Sequence, residues 1–166
     1  MSALDVRRLA AIIAPPSRLL GLDVGAKTIG CAVSDATWSV ATPITTLRRT
    51  RLARDLDSLC QLVAEREVGG FVIGLPVEMD GNEGRRCQSV RQFARDLSRA
   101  VSLPLAFWDE RLSTTAVERT LIGEADLSRK RRSAVVDRAA AAWILQGALD
   151  AIRLAVARGD AATPDE

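Results

Sequence analysis

The chain has 166 residues, 48% hydrophobic and 27% charged, with a net charge of +2 and no histidine. That length suits one domain with a sizeable core and is short for two. The missing imidazole excludes Ser-His-Asp and Cys-His catalysis and His-ligated zinc, so a catalytic site must be built from carboxylates, Lys or Arg, hydroxyls and backbone.

Residues 1–17, closing at "APPS", read as an N-terminal extension whose short apolar run, set among charges, is no signal peptide. Leu19–Val24 and Ile29–Ser34 alternate as strands around a tight turn at Gly25–Thr28. "VATPITTLRR" follows as a third strand, and Pro43 marks it as irregular or at an edge. From Arg51 to Glu67, Leu52, Leu56, Leu59 and Val63 recur at helical spacing. "GGFVIGLP" is a continuous apolar run bounded by Gly and Pro, as expected of a buried parallel strand. The next helix is "MDGNEGRRCQSVRQFARDL", with Asp80 and Glu83 spaced as a capping box and Cys87, Val90, Phe93 and Leu97 as its buried stripe.

"LPLAFWDE" is a fifth strand, "STTAVERTLI" a short helix, and Val135–Val156 a long Ala-rich helix before an acidic tail at 159–166. This order predicts a single domain over 18–158 with a mixed five-stranded sheet, an antiparallel meander followed by right-handed βα units. Helices cover both faces. The pattern is that of a ribonuclease H-like α/β fold. Cys31, Cys60 and Cys87 are odd in number and lack metal-type spacing, so they are expected to be reduced, buried fillers in a cytoplasmic protein. Charges interrupt the longest apolar runs before they reach the length of a bilayer span.

Three carboxylates stand where apolar residues would be cheaper. Asp23 lies inside the first strand and shares its face with Gly21 and Gly25, which leaves space beside it. An Asp before a turn is also ordinary turn chemistry, so this residue alone is undecided. The fifth strand ends in Asp109 and Glu110, on opposite faces, of which at most one can point toward Asp23. Asp137 shares a helix face with Ala141, Ile144 and Ala148, where a favourable helix dipole explains an acid near the start but not its choice of face. Converging carboxylates repel one another unless a cation neutralises them. An oxygen-only donor set suits Mg²⁺ or Mn²⁺, and two such ions about 3.5–4 Å apart would serve phosphodiester hydrolysis.

The blocks "GLDVGAKTIGCAVSD", "VIGLPVEMDGNEG", "DERLSTTAVER" and "VVDRAAAAWILQ" resemble the signature blocks of the YqgF/RuvX family, in order, over roughly 18–150. The resemblance implies a ribonuclease H-like fold and one of two activities. Members are described as nucleases maturing the 5′ end of pre-16S ribosomal RNA or as Holliday junction resolvases. By the same resemblance Asp23, Glu110 and Asp137 form the acidic triad and metal ligands, which selects Glu110 over Asp109. Ala26 stands where the family's turn commonly has Thr, and Glu78 where it commonly has Asn.

Beside that triad, several basic residues become candidates for holding nucleic-acid backbone: Lys27 in the hairpin turn, Arg111 after Glu110, and Arg85 and Arg86. Cations in a helix's first turn oppose its dipole, which makes sense if an anion docks there. Arg129, Lys130, Arg131 and Arg132 have no apolar anchors and read as a basic loop that clamps nucleic acid. Two rivals remain. "DVGAKTIG" loosely fits the phosphate loop of actin-like ATPases, although these need two lobes. A non-catalytic RNA-binding factor on the same scaffold would leave the triad without a purpose. No plain dimer seam is visible, so a monomer is expected.

Overall fold

A computed structural model describes residues 4–13, 16–112 and 129–160, with 129–133 described by backbone alone. β1 (Arg18–Val24) and β2 (Thr28–Ser34) pair antiparallel, and the Gly25 N–H donates to the Thr28 carbonyl at 2.8 Å to close the turn. β3 (Ala41–Arg48) pairs antiparallel with β2. Pro43 has no N–H to give a ladder, and it occupies this edge strand beside a register shift at Cys31/Ala32. α2 (Leu52–Arg66) leads into β4 (Val68–Leu75), and α3 (Arg85–Ala100) into β5 (Leu105–Asp109). Both crossovers return parallel, and the five strands are ordered β3-β2-β1-β4-β5. A 3-10 turn, Glu110–Leu112, follows β5; α4 (Arg129–Arg158) closes the chain, and α1 (Val6–Ile12) opens it.

Alternation along each strand divides the core. Leu20, Leu22, Phe71 and Ile73 turn toward α2 and α3, where Leu59, Cys87, Phe93 and Leu97 meet them. Leu19, Ala32, Val72 and Ala106 turn toward α1 and α4, against Leu9, Ala141, Leu145 and Leu149. The mixed sheet with helices on both faces is therefore present, and Asp23 is on the α4 side because it lies two residues from Gly21 and one from Leu22. Cys31 and Cys87 are buried free thiols, whereas Cys60, also free, is only half-buried, against expectation.

Several elements depart from what the sequence led us to expect. The N-terminal segment carries α1, which buries Val6, Leu9 and Ile13, and the Leu4 N–H donates to Leu105 O at 2.9 Å on β5. The capping box does not form. α3 begins after Gly84 with no side-chain cap, because Glu83 pairs with Arg91 at 2.6 Å and Asp80 accepts from Asn82 within the loop. On α2, Leu52 is exposed while Asp55 is buried, accepting from the Thr50 N–H at 3.0 Å. α4 starts six residues earlier than the Val135 expected, since its first turns are polar and invisible to hydrophobic periodicity. The span Ala134–Arg158 is long and apolar enough to cross a membrane by length and composition alone, a test that a packed core helix also passes. Its apolar face, with Ala141, Ile144, Leu145 and Ala148, lies on the sheet. The expected helix at "STTAVERTLI" and the tail beyond residue 160 lie outside the described residues.

Candidate active site

One end of the sheet collects the site. It holds the C-terminal ends of β1, β4 and β5, the start of β2 and the end of β3. Asp23 pairs across β1/β2 with Gly30, and continuation of the β1/β4 register past Leu22↔Ile73 sets Gly74 on its other side. Both glycines are required by close approach. A Cβ on Gly30 would stand 2.0 Å from the Asp137 carbonyl oxygen, and one on Gly74 would stand 2.8 Å from Glu110 Oε1. The two gaps in the side-chain layer admit the other acids, one from α4 and one from the turn after β5.

Glu110 begins the 3-10 turn, so it leaves strand alternation and folds back over Gly74. Its side chain hydrogen-bonds Asp23. Asp109 turns away, and its carboxylate holds Arg111 at 2.7 Å with further bonds from the Arg111 backbone and Nε. The turn therefore brings Glu110, and not Asp109, against Asp23. Asp137 is held by the Thr28 hydroxyl, which donates to Oδ2 at 2.6 Å across 109 residues of sequence. Burial first, then the charges of Glu110 and Asp137, push the Asp23 carboxyl up to about 7, while Arg86 pulls it down.

Among the described residues, no three acidic side chains stand in a closed metal-ligand cluster. Chemically the set still fits a hard divalent cation. Its donors are all carboxylate oxygens, and their mutual repulsion, evident in the raised Asp23, is what a cation would relieve.

The basic candidates divide. Arg85 and Arg86 line a cavity of about 520 Å³ together with Pro76, Val77, Glu78, Gly84 and Glu110. Lys27 is exposed in the hairpin turn beside Asp23. Arg111 is engaged by Asp109, so it is less free to grip a ligand than the sequence implied. Arg129, Lys130, Arg131 and Arg132 do not form a loop. Their backbone is the opening of α4, and their side chains lie outside the described residues.

Reading the sequence missed two contributors. Thr28 is one. Arg49 is the other: its side chain donates to the Gly25 carbonyl at 2.8 Å, its backbone N–H donates to Lys27 O at 2.8 Å, and its guanidinium lies over Phe93. It fixes the turn carrying Lys27. An Arg after a strand in a basic run gives no sign of such a role.

Comparison with known proteins places this arrangement. A family model described as "RuvX: Holliday junction resolvase" matches residues 17–151. A protein of Phenylobacterium zucineum is 57% identical over 154 residues, 92% of this chain and 99% of its own length. One of Rhodospirillum rubrum is 58% identical over 139 residues, 83% of this chain and 86% of its own. Both bear the name "Putative pre-16S rRNA nuclease". Among solved structures, RuvC of Thermus thermophilus in complex with a Holliday junction substrate aligns with a TM-score of 0.52 at 11% identity, covering 90% of this chain and 99% of its own, a likeness of fold. With the family model matched across the whole sheet and the acidic cluster, and relatives this similar nearly end to end, the chain belongs to the RuvX family.

Proposed function

We propose that the chain is a divalent-metal-dependent nuclease that hydrolyses phosphodiester bonds in structured nucleic acid, with the 5′ end of pre-16S rRNA as its first substrate. The observation that carries this reading is the convergence of Asp23, Glu110 and Asp137, from three separate elements, on a gap made by two glycines. The relatives named for pre-16S rRNA match over nearly their full length, which favours RNA over branched DNA.

Asp23, Glu110 and Asp137 would hold one or two Mg²⁺ or Mn²⁺ ions. When bound, such ions supply charge at the scissile phosphate and lower the pKa of an attacking water. The chain's own residues do the rest. β1 fixes Asp23 at the floor of the site, hydrogen-bonded to Glu110. Arg85 and Arg86, at the open N-terminus of α3, hold the backbone next to Glu110, where free helix N–H groups add to their charge. Lys27 guides the strand across the turn. Arg129–Arg132 open α4 at the same end of the sheet, a second cationic helix start that an approaching polyanion would favour. Replacing both Arg85 and Arg86 with Ala is expected to lower the log–log salt slope of nucleic-acid binding by about 0.7–0.9 for each phosphate that is no longer neutralised. An unchanged slope in filter binding would remove the α3 terminus from the interface.

The family model's own description supports a second reading, resolution of four-way junctions. That reaction needs two symmetric cuts and hence a two-fold dimer. α4 spends its apolar face on the sheet, so we favour a monomer making single cuts. Cleavage of a 5′-extended 16S precursor and of a synthetic junction, with light scattering on each mixture, decides between them. A dimer that nicks a junction at symmetric positions and ignores the RNA would overturn the RNA reading.

A further inference from the structure

We infer that Thr28 is a positioning residue for the third carboxylate: its hydroxyl sets the rotamer of Asp137 and so fixes where α4 delivers its donor to the site. The inference rests on the metal-nuclease reading above.

Three observations converge on Thr28. Its hydroxyl donates its one proton to Asp137 Oδ2 at 2.6 Å, which leaves the other carboxylate oxygen for the site. Its backbone is fixed on two sides, by the Gly25 N–H on its carbonyl at 2.8 Å and by pairing with Arg48 in the β2/β3 ladder. A β-branched side chain on a fixed strand has few χ1 choices, so the hydroxyl is pre-aimed. The docking of α4 supports the same geometry. Gly30, two residues along the same face, lets the Asp137 backbone sit directly on β2, and Thr46 on β3 donates to the Ala134 carbonyl at 2.5 Å, one turn earlier in the helix. Asp137 is therefore anchored by its own main chain and by its side chain, from neighbouring positions on one strand. An aspartate on a helix would otherwise sample several rotamers, and only some of them point its free oxygen at Asp23 and Glu110.

Outer-shell partners of ligating carboxylates typically contribute 10–100-fold in metal affinity. Thr28→Val keeps the shape and removes the donor. It is expected to weaken Mn²⁺ binding, measured by titration calorimetry, about 10-fold. It should lower kcat while leaving KM for nucleic acid and the salt slope unchanged. Thr28→Ser, which restores the hydroxyl without the branched methyl, should recover Mn²⁺ affinity to within about 3-fold of wild type. In an Asp137→Asn background, Thr28→Val should have no further effect on Mn²⁺ affinity. Wild-type Mn²⁺ affinity in folded Thr28→Val would overturn the assignment and leave the nuclease reading standing. A wild-type protein that binds no Mn²⁺ would overturn the metal reading itself, and this inference with it.

Discussion

In metal-free buffer, Asp23→Asn is expected to melt above the wild type at pH 8, while with Mg²⁺ supplied its cleavage of nucleic acid falls more than about 100-fold below the wild type, beyond the range of outer-shell changes. The two effects have one cause. Asp23 is half-buried beside Glu110 and Asp137, and its carboxyl is pushed up to about 7 from 3.8. The folded protein thus keeps a proton that the unfolded chain releases near pH 4. Stability from this group is complete below that point and is lost as pH rises through 7. An asparagine carries no charge to lose, and its amide can still donate to Glu110.

The gap between variant and wild type should therefore be small at pH 5 and grow toward pH 8. Each pKa unit is worth about 1.4 kcal/mol, and with the shift shared between coupled acids we expect a gap on the order of 2 kcal/mol. In a domain of this size that is about 4–8 °C in Tm. Scanning calorimetry of both proteins with chelator, at pH 5 and pH 8, reads it directly. Parallel Tm curves would mean that Asp23 is not held against its neighbours. With saturating Mg²⁺ the order should reverse, because only the wild type has the full donor set.

How much of this was legible in the sequence depended on whether a residue broke a local rule. Asp23 did so, as a carboxylate in an apolar strand, and Asp137 did so by its choice of helix face. Both lie at the site. The antiparallel meander, the parallel βα units after it and Pro43 in an edge strand also followed from local pattern. Thr28 broke no rule, since Thr is at home in strands, and its partner is 109 residues away. The capping box shows the opposite failure. Asp80 and Glu83 had the right spacing, but spacing does not tell a carboxylate which partner will win, and Arg91 holds Glu83 with two bonds. Leu52 fitted the helical stripe, yet the buried residue at that end of α2 is Asp55, because its bond to Thr50 N–H closes the entry to the helix. In each case the missing information was which partner a side chain's hydrogen bond would take, 109 residues away for Thr28 and within eight for Glu83 and Asp55.

Gly30→Ala should cost both stability and activity, and more of each than Gly74→Ala. A methyl on Gly30 would meet backbone: the Asp137 carbonyl oxygen at 2.0 Å, its carbon at 2.4 Å and the Arg138 nitrogen at 3.0 Å. No rotamer change can relieve that, so the start of α4 must lift off β2 by about 1 Å or more before ordinary contact is restored. Lifting it strains the Thr28–Asp137 bond and withdraws Asp137 from the other two acids. Overpacking of this kind costs about 1–3 kcal/mol or more, or roughly 2–12 °C in Tm for a chain of this length. At Gly74 the same methyl meets Ile144 Cδ1 at 2.4 Å and Glu110 Oε1 at 2.8 Å, both ends of side chains that can swing aside. Gly74→Ala should therefore fold with a smaller loss of Tm and show its effect chiefly as weaker Mn²⁺ binding through a displaced Glu110. Thermal melts and Mn²⁺ titrations of the two variants side by side test the pair. If Gly30→Ala keeps wild-type stability and Mn²⁺ affinity, α4 does not sit on β2 at Gly30, and the gap that admits the third carboxylate is made some other way.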